Sequence, residues 1–158
     1  MDIKIRKATI DDLFTIQSLN NKLFEYEMDR DLDKYIPGWA FGKESADYFS
    51  DLIKNQFVVI AEIGGKPVGY LAGSIYQDDS YSYYDGKTAD LDNTFIEEEY
   101  RRYGIGSKFM NAFIEWCKQN DVKRIFVTAT IGNDNTIAFY KKHGFKELNI
   151  ELKKEIWF

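Results

Sequence analysis

The chain has 158 residues, enough for one domain of ordinary size, and 44% hydrophobic residues with 12 Phe, 11 Tyr and 3 Trp can fill its core. A net charge of −5 lacks the basic footprint of a nonspecific nucleic-acid binder, and no apolar run reaches the roughly 20 residues that span a bilayer. The single cysteine, Cys117, excludes an intrachain disulfide and a cysteine-based zinc site, and residues 1 to 6 lack the apolar core of a signal peptide, so a cytoplasmic setting without nucleic-acid, membrane or metal partners is expected.

Residues 3 to 8 alternate as Ile-Lys-Ile-Arg-Lys-Ala, a short strand. Thr9 can cap the helix that follows, with Asp11 and Asp12 in its positive first turn and Leu13, Ile16, Leu19 and Leu23 as its apolar stripe. Pro37-Gly38 leads to a second helix near Glu44 to Lys54. Phe57 to Ala61 reads as a buried strand, Gly64-Gly65 as a hairpin turn, and Val68 to Tyr76 as the partner strand. A polar loop over 77 to 86 precedes a strand near 87 to 96. Ile105, Phe109, Ala112, Phe113 and Trp116 share one helical face, which predicts an amphipathic helix over 103 to 119. Arg124 to Ile131 reads as a central strand. Asn133 can cap a short helix ended by Gly144, and two strands near 145 to 149 and 151 to 157 close the chain. The order β-α-α-β-β-β-α-β-α-β-β implies one α/β domain over 1–158, with a mixed, mostly antiparallel sheet and helices on both faces.

Charge is unevenly spread. Residues 76 to 99 carry Asp78, Asp79, Asp85, Asp90, Asp92, Glu97, Glu98 and Glu99 against Lys87 alone, and the next stretch has Arg101, Arg102 and Lys108 without an acid. Such a junction can hold a cationic and an anionic ligand side by side, or it can be solvated surface. Arg101-Arg102-Tyr103-Gly104-Ile105-Gly106-Ser107 falls where a strand hands over to a helix. The first N–H groups of a helix have no internal partner and sit at the positive end of its dipole, so this turn suits a phosphate, although a structural turn would explain the glycines equally well. It is not a dinucleotide fingerprint, because Phe109 stands where the third glycine would be, nor a Walker loop, whose longer glycine spacing it lacks.

Arg101-x-x-Gly104-x-Gly106 resembles the Arg/Gln-x-x-Gly-x-Gly/Ala signature of the GNAT acetyltransferase superfamily. Asn133, Ala138, Tyr140 and Gly144-Phe145 resemble the family's second pattern, and the element order is similar throughout. One departure is Ile96-Glu97-Glu98, where many relatives carry a proline. The resemblance implies an N-acetyltransferase using acetyl-CoA as co-substrate, without a metal, and acting on a primary amine. It implies that pantetheine lies between the strand ending at Ile96 and the next one, paired with the backbone of Thr94, Phe95 and Ile96. The turn from Arg101 and Arg102 through Tyr103, Gly104, Ile105, Gly106 and Ser107 would hold the pyrophosphate, with Asn133 also touching the cofactor. Tyr140 would protonate the leaving thiolate; without the flanking motif it would read as a buried aromatic on a short helix.

The acceptor needs a base. An alkyl amine of pKa about 10.4 is neutral in only about one molecule in 2,000 at pH 7, and only that form attacks a carbonyl. Asp90 and Asp92, two apart on a strand, share a sheet face, and relatives place a catalytic acid at one or the other position. Aspartate is short, which suggests a relaying water; the acid some relatives carry on the following strand is replaced by Thr128. Glu25, Glu27, Asp29, Asp31, Asp33, Asp78, Asp79 and Asp85, with Tyr26, Tyr76, Tyr81, Tyr83 and Tyr84, suit a cationic amine, or equally an acidic surface that serves mainly solubility. Trp39 and Phe41 could line a lid or pack the second helix. His143 reads as a cation at a helix C-terminus and Cys117 as a structural thiol. Family members are often dimers, which leaves a homodimer open. A module that holds CoA without catalysis, or a protein-interaction domain using the acidic loop, are the competing readings.

Overall fold

The computed structural model describes residues 1–28, 36–77 and 86–157, which fall into two units, Met1–Val127 and Thr128–Phe158. The first unit runs β1 (Ile3–Lys7), α1 (Leu13–Met28), α2 (Lys43–Asn55), β2 (Phe57–Ile63), β3 (Lys66–Gln77), β4 (Lys87–Ile96), α3 (Ile105–Gln119) and β5 (Val122–Phe126); the second holds α4 (Asp134–Lys142). Strand order in the sheet is β1-β2-β3-β4-β5. The first three pairings are antiparallel and β4 with β5 is parallel, as a connection through α3 requires. This is the mixed α/β class that the pattern predicts.

Sheet parity decides which helix covers which face. Val58 and Ile60 on β2 lie opposite Ala72 and Tyr70 on β3, and all four join Ile16 and Leu19 of α1 with Phe49, Leu52 and Ile53 of α2 in one buried core. The other face carries Phe57 opposite Gly73, with the Phe57 ring 5.5 Å from Phe113 and 5.1 Å from Trp116 of α3. Helices therefore cover both faces. At its entrance α1 is anchored by Arg6, whose guanidinium bonds both carboxyl oxygens of Asp12 at 2.8 Å and reaches Glu62 at 2.7 Å. The Asp12 carboxyl is held below its ordinary value chiefly by that bond to Arg6.

Three expectations near the C-terminus are corrected. The strand expected over 124–131 is Val122–Phe126, because the β5 ladder with β4 ends at Asp90↔Phe126 and residues beyond it leave the sheet. No strand forms at 145–149 or 151–157 among the described residues. Leu148, Ile150 and Leu152 do alternate, but their side chains are exposed; alternation predicts a strand only where a ladder and a buried face exist to receive it. Asn133 stands at the N-cap position of α4, yet its side chain makes no capping bond. The Gly144 expectation holds in detail. With φ of 91° it ends α4 as the Gly144 N–H reaches Lys141 O at 3.0 Å and the Phe145 N–H reaches Tyr140 O at 3.1 Å. The Phe145 ring closes on Tyr140 at 5.6 Å, completing a Schellman cap with its apolar contact.

Gly73 marks the tightest contact between sheet and helix: a Cβ there would stand 2.3 Å from Cε2 of Phe113, a ring with no exposed surface. Gly73→Ala is expected to cost about 1–3 kcal/mol, the usual range for overpacking. Urea unfolding measures it, and a change inside about 0.5 kcal/mol, typical of an unconstrained surface site, would mean the interface yields freely.

Candidate functional site

Strand β4 carries both candidate carboxylates, and a bulge shapes it. Leu91 lies opposite Gly73 and Asn93 opposite Ala72, which leaves Asp92 as an extra residue without a partner. In an unbroken strand Asp90 and Asn93 would face opposite ways. The extra residue resets the parity, so Asp90, opposite Ser74, shares the α1–α2 side with Asn93, opposite Ala72. Asp92 turns the same way, its carboxyl bonded to Ser74. The two acids do share a face, as expected, but Asn93 joins them.

Their environments differ. Burial raises the Asp90 carboxyl, opposed by a 3.4 Å bond from the Tyr76 hydroxyl. Asp92 is pushed up to about 6, first by burial of its carboxyl and further by the Asp90 charge, against the Ser74 bond. Residue 92 as a whole is exposed, so water still reaches the side chain and caps the displacement. A carboxylate at this value is mostly ionised at neutral pH yet more basic than an ordinary aspartate.

Beyond Asp90, β4 continues to Ile96 past the end of the β5 ladder. Thr94, Phe95 and Ile96 thus lie where only β3 pairs with the strand, the Thr94 hydroxyl bonding Tyr70 O at 2.8 Å. The chain then enters α3 through a turn with two left-handed residues, Arg102 at φ 67° and Gly104 at φ 86°. A side chain at φ 67° is strained by about 1–2 kcal/mol, and such strain concentrates at ligand clamps. Gly104 is the N-cap of α3 without a side-chain cap, and nothing lies within 4 Å of the place a Cβ would occupy. The α3 ladder begins with Lys108 N–H on Gly104 O, so the N–H groups of Ile105, Gly106 and Ser107 precede the first turn's bonds. This geometry fits an anion laid on the head of the helix.

The two arginines divide their work. Arg101 donates from Nε to Ile96 O at 2.7 Å and lies over the rings of Tyr26 and Phe95 at 5.0 and 5.3 Å. It fixes the path of the turn. Arg102 and Tyr103 are exposed just before the head of α3. In the second unit Asn133 and Tyr140 are both buried, Tyr140 against Phe139 and Phe145.

A model of the acetyltransferase (GNAT) family matches residues 19–145, which include both motifs. The chain belongs to this family. Among curated relatives, an uncharacterized N-acetyltransferase of Methanocaldococcus jannaschii is 28% identical over 92% of this chain and 62% of its own length. An N-alpha-acetyltransferase of Sulfurisphaera tokodaii is 27% identical over 94% of this chain and 83% of its own. The chain spans about three fifths of the length of the first two curated relatives it matches. A mutant of the BH1408 protein from Bacillus halodurans has the same fold, with TM-score 0.86, 20% identity and coverage of 98% and 99% of the two chains. The aminoglycoside N-acetyltransferase AAC(6')-Iy, solved in complex with CoA, aligns with TM-score 0.75 at 15% identity over 98% and 95%.

Of the residues that the sequence offers to a cationic amine, Asp29, Asp31, Asp33, Asp78, Asp79, Asp85, Tyr81, Tyr83 and Tyr84 lie outside the described residues of this GNAT chain. Trp39 packs rather than opens, 5.6 Å from Phe24 and 6.3 Å from Tyr48, with Nε1 donating to Glu44 at 3.2 Å. Phe41 stacks on Phe14 at 6.0 Å. A cavity of about 180 Å³ between α1 and Pro37-Gly38 is lined by Phe24, Glu25 and Met28 among others. His143 caps α4 beside Phe139, and Cys117 is buried with its thiol pushed up to about 11, as a structural thiol should be. Ser74, Asn93 and Tyr48 escape a reading of the sequence; only Gly73, a glycine inside a strand, hints at the bulge that gathers them.

The raised Asp92 carboxyl has a stability consequence. Its folded value of about 6 exceeds the ordinary aspartate value of 3.8, so the folded state holds the proton more tightly and this group's contribution to stability falls as pH rises from about 4 through 6. Asp92→Asn is therefore expected to be more stable than the parent at pH 7.5, with the gap closing below about pH 4. Paired thermal melts across that range test it; parallel curves would show that the carboxyl is not desolvated.

Proposed function

We propose that the chain, acting as one domain over 1–158, is an N-acetyltransferase that transfers acetyl from acetyl-CoA to a primary, cationic amine in a ternary complex. The observation that carries this reading is the order of features along one strand. Two carboxylates, a stretch of β4 free of β5, and a helix-head turn with left-handed Arg102 and Gly104 follow one another within 18 residues, 90 to 107. The family membership and the CoA complex of a similarly folded acetyltransferase support it.

The residues present suit the co-substrate. Main-chain N–H groups of Ile105, Gly106 and Ser107, with Arg102, would hold the pyrophosphate, and the open space over Gly104 admits it. The backbone of Thr94, Phe95 and Ile96 would pair with pantetheine amides, and an N–H there would meet the oxygen on which charge develops. Asn133 would add a polar contact. When bound, acetyl-CoA supplies an activated carbonyl. Asp92, or Asp90 beside it, takes a proton from the acceptor so that nitrogen forms the new C–N bond, while the C–S bond breaks and Tyr140 gives a proton to the departing sulfur. A phenol of ordinary pKa near 10 can do so without being lost as phenolate at neutral pH.

Calorimetry with CoA and turnover of acetyl-CoA with a panel of amines test the reading. CoA is expected to bind, and Tyr140→Phe to lower turnover at least about tenfold with CoA affinity kept. Asp92→Asn is expected to remove the acidic limb near pH 6 from the rate profile. A folded protein with no affinity for CoA would overturn the assignment, and binding without turnover on any amine would leave a CoA-holding module.

A further inference from the structure

A chain of polar side chains crosses the core under the carboxylates. Asn20 Nδ2 on α1 donates to the Tyr70 hydroxyl at 3.0 Å, and Tyr70 donates to Asn93 Oδ1 at 2.5 Å. Asn93 Nδ2 then donates to the Tyr48 hydroxyl of α2 at 3.2 Å. Asn20 and Tyr70 have 1% and 0% exposure, where polar groups are expensive unless they specify something. The chain has a direction. Each member donates to the next, and the one buried atom left without a partner at its inner end is an acceptor, Asn20 Oδ1. Reversing both amides would orphan a buried N–H instead, the rarer and costlier arrangement.

A directed chain must end in a donor, and here the last proton belongs to Tyr48. Among the described residues its hydroxyl has a hydrogen-bond partner only in Asn93, from which it accepts. Its ring is wedged at 6.3 Å from Trp39 and 4.9 Å from Phe49, so the hydroxyl cannot swing away. Asn93 adjoins Asp92 and shares its side of the sheet, which puts this proton beside the two carboxylates. Burial, and then the Asp92 and Asp90 charges, push the Tyr48 phenol well above its ordinary value, so it stays protonated. Among the described residues no hydrogen bond joins Tyr48 to either carboxylate. A water placed between Tyr48 and Asp92 would accept from the hydroxyl, donate to the carboxylate and keep a lone pair for an incoming N–H.

We infer that Tyr48, oriented by Asn93, is the residue that fixes the relay water between the acceptor amine and Asp92. The inference rests on the reading of Asp92 as base. In the step, the amine N–H proton passes to the water oxygen as one of the water's own protons passes to the Asp92 carboxylate; water is regenerated, and Tyr48 keeps its proton throughout. Tyr48 is thus a positioning residue. Among the described residues, the titratable groups that face Asp92 include Asp90 from β4, Tyr76 from β3, which bonds Asp90, and Tyr48 from α2.

The experiment is a double-mutant comparison. Asp92→Glu lengthens the base by one methylene, enough to reach the amine directly. Tyr48→Phe is expected to lower kcat about tenfold or more in the parent, with KM for acetyl-CoA unchanged, but less than about twofold when Asp92→Glu is present. Equal losses in both backgrounds would reduce Tyr48 to a structural role, and no loss in the parent would remove it from the reaction. Should Tyr48→Phe melt the fold, the unaltered enzyme decides: single-turnover rates in mixed light and heavy water should curve, as two protons in flight require, and a straight line would overturn the relay. Failure of the base reading itself looks different, because Asp92→Asn would then leave the acidic limb of the rate profile in place.

Discussion

Strand β4 has to be interior and edge at once. Apart from the bulged Asp92 it pairs with β3 from end to end, but β5 accompanies it only from Lys87 to Asp90. Backbone groups in a sheet demand partners, so a strand abandoned on one side either meets water or receives a ligand. The rest of the first unit is arranged around that strand. One face is closed by α1 and α2, the other by α3, and its end runs without a break into the head of α3. A ligand that pairs with the strand is thereby delivered, by connectivity alone, to the positive end of a helix dipole.

The core beneath this strand is more polar than a stable core needs to be. Asn20, Tyr70 and Asn93 could be replaced in outline by apolar residues of similar volume, and buried networks of this kind are often no more stabilising than such replacements. What they supply is orientation. The edge-to-face contacts Tyr48–Phe49 and Phe49–Tyr70 fix the rings, and the hydrogen bonds fix the hydroxyls, so the geometry on the acceptor side is inherited from the core. Strain at Arg102 and the penalised Asp92 charge are local costs of the same kind, and such costs often mark places where a protein holds a ligand.

Much of this is legible in the sequence because it rests on local rules. Helix stripes such as Ile16, Leu19 and Phe109, Phe113 reappear as the buried faces, and the glycine at the head of α3 takes the left-handed conformation that its place in the turn demands. Gly144-Phe145 reads correctly because a Schellman cap is a property of six consecutive residues. What stays hidden is non-local. Leu148, Ile150 and Leu152 alternate as a strand should, and alternation cannot tell whether a ladder awaits them. Nor can it tell that parity breaks inside β4, so Asn93 reads as facing away from the acids it stands beside. Arg101, which the signature groups with the anion binders, also donates to Ile96 O, a contact visible only once the turn has been folded.

The bulge separates what the sheet requires from what the chemistry requires. Strand β4 contains ten residues, yet nine of them face every partner that β3 offers. A chain shortened by that one residue would form an unbroken ladder, with Asn93 and Phe95 still turned toward the same helices. The supernumerary residue is Asp92. The ladder therefore does not depend on residue 92, so the scaffold can lose or exchange that carboxylate and keep its shape.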